Sequence, residues 1–214
     1  MCTRNALPGV IEEFAAKDPW HMAELSGAEF ENNIFTLSYC NLPIEIVYPD
    51  GEVKFQKDGD ENFKCLELIN DEKVLILHYL SHSSGLPLRG QWISFLDLTG
   101  GQMHRTSFQK EVLEPLSQKY GSNIGKFIEK GIVHGGETYP GGAAGLVIPV
   151  FPKISIAFLL WEGEDEFPPR AQILFDSVAA AYFSTATLFL LAKQALARVW
   201  LTNELRLDYN AEEV

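Results

Sequence analysis

The chain predicts an α+β fold: a single domain with a mainly antiparallel mixed sheet, helices packed on it and a long C-terminal helix. Three observations carry that expectation. Alternating apolar segments come in groups, separated by groups of helical segments, and grouped strands favour antiparallel pairing over a βαβ repeat. Two strongly apolar runs, 146–151 (LVIPVF) and 154–161 (ISIAFLLW), are joined by Pro152-Lys153, and their β-branched and aromatic content suits a buried hairpin. The apolar stretch at 178–201 is broken by Ser184, Thr185, Thr187, Lys193, Gln194 and Arg198, so it fits a packed amphipathic helix better than a membrane span.

The elements follow in order. Residues 8–17 (PGVIEEFAAK) begin with Pro8 and place Glu12 and Glu13 in the early turns of a first helix. Asp18-Pro19 ends it, because the residue before a proline is pushed out of the α region. Residues 33–39 and 43–48 alternate as half-buried strands. Tyr48-Pro49-Asp50-Gly51 is a turn, since proline presets φ and glycine tolerates its positive values. GEVKFQ returns as the third strand of a small meander.

Between Asn62 and Ser81 the apolar positions Phe63, Leu66, Ile69, Val74, Leu77 and Leu80 take helical spacing. One or two helices are expected there, ending before Ser83-Ser84-Gly85. Residues 91–95 suit a short strand and Thr99-Gly100-Gly101 a turn. Helices are expected at 107–119 and 122–130, the second begun by Ser122 and capped by Gly131. Five glycines and a proline make 135–145 the most flexible or most tightly turned segment. After the hairpin come an acidic loop (163–170), the short strand AQILF, a helix at about 184–206 and a frayed tail. With no internal repeat or linker, one domain spans 1–214.

A formal charge of −12, from 17 Lys+Arg against 29 Asp+Glu, repels phosphate backbones and anionic lipid heads. Neither nucleic acid nor membrane insertion is therefore expected; solubility and docking to a basic partner remain. Cys2, Cys40 and Cys65 form no CxxC and are odd in number, which suits a reducing cytosol and makes a poor zinc or iron–sulfur set. The start, MCTRNALPGVIEEF, has no apolar h-region, so a cytoplasmic protein is expected.

Several polar residues are candidates for chemistry. His78 and His82 are four apart, on one helical face, where two imidazoles could share a metal. Tyr79 stands where a metalloprotease helix needs glutamate, so a core-facing His78 and an exposed His82 are the simpler expectation. Gly141-Gly142-Ala143-Ala144-Gly145 exposes backbone N–H groups but precedes a strand and lacks a lysine. A tight turn into that strand, or a ligand close to the backbone, explains it better than a phosphate loop. Glu162, Glu164, Asp165 and Glu166 crowd four carboxylates into a loop, which suits a solvated hairpin, a cation or a partner. His104 and His134 sit beside turn-like sequence and are candidate axial ligands for a metal-containing ring. Cys40 and Cys65 lie next to apolar runs and fit inert buried thiols. There is no GxSxG elbow.

Certain strings carry a family resemblance. ILHYL at 76–80, GQWISFLDLTGG at 90–101, PVFPKISIAFLLWEGEDEFPP at 149–169 and ILFDS at 173–177 resemble, in the same order, the domain-of-unknown-function family numbered 3786. The resemblance covers about 30–195. Matching positions are His78, Trp92, Ser94, Phe95, Trp161, Glu162, Gly163, Phe167 and Asp176. It implies relatives mostly in anaerobic bacteria and archaea, some fused to a four-iron iron–sulfur domain, and no activity to carry over. A link to iron–sulfur, one-carbon or corrinoid metabolism is an analogy of this kind.

The leading expectation is a non-enzymatic cofactor-binding or accessory protein of anaerobic metabolism. Its ligand would be cobalamin, another corrinoid or haem, and its partner an iron–sulfur or methyltransferase-type protein. His134 is the first candidate to face a metal and His104 the second, with His78, Trp92, Gly141, Gly142, Trp161 and Glu162 also binding. One alternative is a small-molecule enzyme using Glu162, Glu164 or Asp176 as acid–base groups. Another is an interaction subunit that presents the acidic loop to a redox partner.

Overall fold

The computed structural model describes residues 7–56, 63–64, 70–163 and 167–201. Two five-stranded sheets form, and every pairing among the described residues is antiparallel. The fold is α+β, as the grouped strands predict. Its strands divide into two sheets where one was expected.

The first sheet is a meander of β1 (Glu29–Glu31), β2 (Ile34–Tyr39), β3 (Leu42–Val47), β4 (Glu52–Gln56) and β5 (Phe63–Lys64). Two of its loops have only two residues, Asn32-Asn33 and Cys40-Asn41, with φ of 51°, 62°, 49° and 61°. Positive φ at both central positions matches the right-handed twist of the flanking strands, and asparagine tolerates it better than most residues. β1 was not anticipated; Asn32-Asn33 is the signal that could have shown it. The turn at 48–51 forms as expected, with a cis Tyr48–Pro49 bond and Gly51 at φ 68°.

The second sheet runs β6 (Trp92–Ser94), β10 (Arg170–Asp176), β9 (Ile154–Trp161), β8 (Ala144–Phe151) and β7 (Glu137–Thr138), in that spatial order. The hairpin of β8 and β9 is its centre, with Leu146 opposite Phe158 and Ile148 opposite Ile156. Helices cover the face made by these residues with Ile173 and Phe175. Phe158 meets Trp200 at 4.6 Å between ring centroids, and Phe175 meets Phe95 at 6.3 Å. The sheets join where the amide of Cys40 donates to the carbonyl of Val150 at 2.9 Å and Tyr39 packs on Phe151. One buried cluster runs through both.

The first helix, α1 (Leu7–Ala15), falls where expected, but Asp18-Pro19 also starts a second, α2 (Pro19–Ser26). The Asp18 carboxylate accepts from the amide of His21 at 2.8 Å, and Pro19 loses nothing at a position whose N–H has no helical partner. Helix α3 (Asn70–His82) buries Leu75, Ile76, Leu77, Tyr79 and Leu80, because α1, α2 and the C-terminal helix surround it. The helical stretch expected from Asn62 is corrected at its start, where Phe63–Lys64 pair with β4 as strand β5; residues 62 and 65–69, with Cys65, lie outside the described residues.

A continuous helical run comprises α4 (Arg105–Phe108), a π-helical turn (Gln109–Leu113) and α5 (Glu114–Tyr120). Next comes α6 (Ile124–Val133), capped by Asn123, whose side chain accepts from the amide of Lys126 at 3.2 Å. Two expectations are corrected here. Ser122 is not the cap, and Gly131 lies inside the helix. A Cβ on Gly131 would stand 2.3 Å from Leu146 Cδ1 and 3.1 Å from Trp200 Cζ2, so glycine is there for close packing and not for chain termination. The C-terminal helix α7 (Thr185–Leu196) continues as a π turn (Ala197–Leu201); the rest of the expected helix and the tail lie outside the described residues. No helix among the described residues is long and apolar enough to cross a membrane.

Candidate functional site

A cavity of about 490 Å3 opens between the end of α5, one side of α6 and the C-terminal π turn. Its lining includes Lys119 and Tyr120 from α5, Lys126, Glu129, Lys130 and Val133 from α6, then His134 and Val199. Helical spacing explains the grouping: positions 126, 130, 133 and 134 recur every three or four residues and so share a side of α6. The walls are fixed by buried contacts behind them. Phe127 stacks on Trp200 at 5.0 Å, the Trp200 indole N–H donates to the Phe127 carbonyl at 3.0 Å, and the Tyr120 hydroxyl donates to the Trp200 carbonyl at 2.7 Å.

His134 ends α6 and reaches the hairpin tip of the first sheet, where its Nδ1 lies 3.1 Å from the carbonyl oxygen of Cys40. A carbonyl oxygen only accepts, so Nδ1 carries the proton and, in the neutral ring, Nε2 carries the lone pair. A metal-ligating histidine is oriented by just such a bond. The neighbouring thiol takes no part: burial pushes Cys40 up to about 12, against a smaller opposing pull from Arg198. In a chain of net charge −12, three lysines beside an imidazole form a local basic surface, offset in part by Glu129. The arrangement suits an anionic small ligand.

The remaining candidates lie elsewhere, and the histidines do not converge. His78 and His82 stack with centroids 4.0 Å apart and planes 19° apart, which aligns the rings face to face. His82 is half-buried, where exposure was expected, because its Nε2 lies 2.9 Å from Glu13 Oε1. His78 is half-buried between His82 and Phe183, and burial, reinforced by His82, lowers its pKa to about 4. No group of three or more metal-ligating side chains occurs among the described residues. His104 closes a 3-10 turn and packs beside Phe189, at 6.3 Å.

Trp92 and Tyr139 meet edge to face at 5.4 Å. Trp161 lies under the guanidinium of Arg170 at 5.5 Å, and Glu162 is exposed. Gly141 and Gly142 line a second depression of about 260 Å3 with Ile128 and Tyr139. Gly142 has φ 67°, and a Cβ there would come within 2.5 Å of the Leu160 carbonyl oxygen; the glycines make the tight turn into β8. Asp176 is buried and accepts from the amides of Arg89 (3.0 Å), Gly90 (2.7 Å) and Val178 (2.9 Å). Glu164, Asp165 and Glu166 lie outside the described residues.

The family model described as a domain of unknown function, DUF3786, matches residues 18–198. The chain belongs to that family. The span shared with DUF3786 holds Lys119, Lys126, Lys130 and His134 but stops one residue short of Val199. It includes His78 and His82 but not Glu13, the partner of His82. No curated protein and no solved structure matches the chain. For this DUF3786 member, sequence reasoning found His134 but missed Lys119, Tyr120, Lys126, Lys130 and Val199. The lysine pair at i and i+4 on one predicted helix was the available signal; Val199 offered none.

Proposed function

We propose that the protein is a non-enzymatic binding or accessory protein for a metal-bearing tetrapyrrole, a corrinoid or haem, held in the groove beside α6. The observation that carries this reading is His134: it lines that groove, and its Nδ1–H is held by the Cys40 carbonyl so that, in the neutral ring, Nε2 carries the lone pair. A volume of about 490 Å3 falls in the range of roughly 300–1,000 Å3 usual for small-ligand sites. Lys119, Lys126 and Lys130 would hold anionic groups of the ligand. His134 would supply a nitrogen ligand to the metal and so tune its electronic state. His104 does not line this groove among the described residues, so one protein ligand is the expectation.

The test is an absorbance titration of purified full-length protein with haemin and with hydroxocobalamin. A saturable spectral change is expected with at least one, and His134→Ala should remove the signature of nitrogen ligation. If neither compound changes the spectrum at tens of micromolar protein, the reading fails.

A further inference from the structure

Strand β10 is longer than the neighbour on its outer side. β9 pairs with it from Arg170 to Phe175, whereas β6 covers only Leu174 to Asp176. After Ser94 the chain leaves the sheet in a 3-10 turn, Phe95–Asp97. No strand among the described residues therefore stands beside 170–173 on that side. The register shows which backbone groups face it. The Ser177 amide donates to the Gln91 carbonyl at 2.7 Å, and an antiparallel ladder turns every second residue to the same side. Phe175, Ile173 and Ala171 thus address the β6 side, and Ala171 lies beyond the last pair, Leu174 with Ser94.

An uncovered strand edge is a template for another strand. Beside this one lies a cavity of about 170 Å3, with Phe95, Phe108, Leu113 and Ile173 as apolar walls and Arg105 also in its lining. Arg105 and Arg170 are exposed, and neither has an ion-pair partner among the described residues. Asp97, the carboxylate of the adjoining turn, is occupied by the Ser94 amide and hydroxyl. The Arg170 guanidinium lies over the Trp161 ring at 5.5 Å, which orients its plane and leaves its N–H edge for a carboxylate. A strand laid along this edge points alternate side chains to the two faces of the sheet. One enters the cavity on the face of Ile173, and its neighbours emerge on the face of Arg170 and Gln172. We propose that the open edge of β10 docks an extended segment of a partner protein, in which an aliphatic residue is flanked by acidic ones. The segment adds a strand beside Ala171 and Ile173, seats its aliphatic side chain in the cavity and pairs its carboxylates with Arg105 and Arg170. A second copy of this chain fits less well, because it brings the same two arginines to the edge. The site shares no lining residue with the groove beside α6 and does not depend on what that groove holds.

The probe is a short capped, fluorescein-labelled peptide alternating glutamate with leucine or valine, titrated by anisotropy against the full chain. Saturable binding is expected, with the amides of Ala171 and Ile173 protected from hydrogen exchange in the complex. Two control peptides separate the contributions: one with lysine in place of glutamate, and one N-methylated at alternate residues, which removes the strand-pairing donors. Both should bind more weakly than the parent peptide. The double variant Arg105→Glu, Arg170→Glu should weaken the acidic peptide about tenfold, as expected for two exposed ion pairs, with an unchanged circular dichroism spectrum as the folding control. Added salt should erode the preference for the acidic peptide. No binding at hundreds of micromolar protein, equal binding of the lysine or N-methylated peptide, or protection that leaves 171 and 173 unchanged would overturn the proposal. A peptide-free protein that sediments as a dimer with 171 and 173 already protected would give the edge to a second copy and overturn it too.

Discussion

Arg198 and Glu72, 126 residues apart in the chain, form a buried ion pair: Nε lies 2.7 Å and Nη2 2.5 Å from Oε1, and each side chain is 5% exposed. The guanidinium also lies 4.5 Å from the centre of the Phe55 ring and 5.3 Å from that of Tyr39. One residue thus ties the C-terminal helix to α3 and to the first sheet. Removing one partner strands a charge in a place water does not reach, which typically costs about 3–5 kcal/mol. Glu72→Ala and Arg198→Met are each expected to lower stability by that amount in urea unfolding. The double change Glu72→Leu, Arg198→Met should cost less than either single change. A single-variant loss below about 1 kcal/mol would mean that the pair is already solvated.

Asp176 anchors the extended segment before β6. Its carboxylate serves the amides of Arg89 and Gly90 on one side and that of Val178 on the other. Asp176→Ala should cost at least about 2 kcal/mol, because three amides lose their acceptor at once. Asp176→Asn, which keeps one acceptor oxygen, should cost less. Hydrogen exchange supplies the site-specific check: the amides of residues 89 and 90 should exchange faster in the alanine variant, with α3 unchanged. Unaltered protection at 89–90 would contradict the anchoring role.

His78 makes stability depend on pH in a defined direction. Its folded-state pKa is lowered from 6.5 to about 4, first by burial and then by the neighbouring His82. Between those values the unfolded chain binds a proton that the folded chain does not. Stability therefore rises with pH across this window. The contribution is fully present above pH 6.5 and falls away as the pH drops towards 4. His78→Gln should reduce the difference in urea midpoint between pH 7 and pH 5. An equal difference in the variant and the parent would place the pH dependence on other groups.

Local patterns were enough for a large part of the architecture. The period-2 alternation in 33–39 and 43–48, the Pro-Asp-Gly turn and the two apolar runs of the β8–β9 hairpin each depend on neighbours along the chain. They therefore appear in the structure where sequence reasoning put them. Helix ends were less legible: Asp18 and Asn123 cap helices through side-chain bonds, while Gly131, which looked like a terminator, is required by Leu146 and Trp200. A glycine selected for space and one selected for positive φ are the same letter.

By itself the sequence determined the fold class, the central hairpin, a net charge of −12 and His134 as a candidate ligand. Only the tertiary structure decided that His134 shares a groove with Lys119, Lys126, Lys130 and Val199, that His78 and His82 stack face to face away from that groove, and that Arg198 meets Glu72. Those relationships arise where distant segments cross. Periodicity and propensity report how each segment buries its own face, whereas the position of a lysine relative to a histidine in space depends on how α5, α6 and the C-terminal helix pack together.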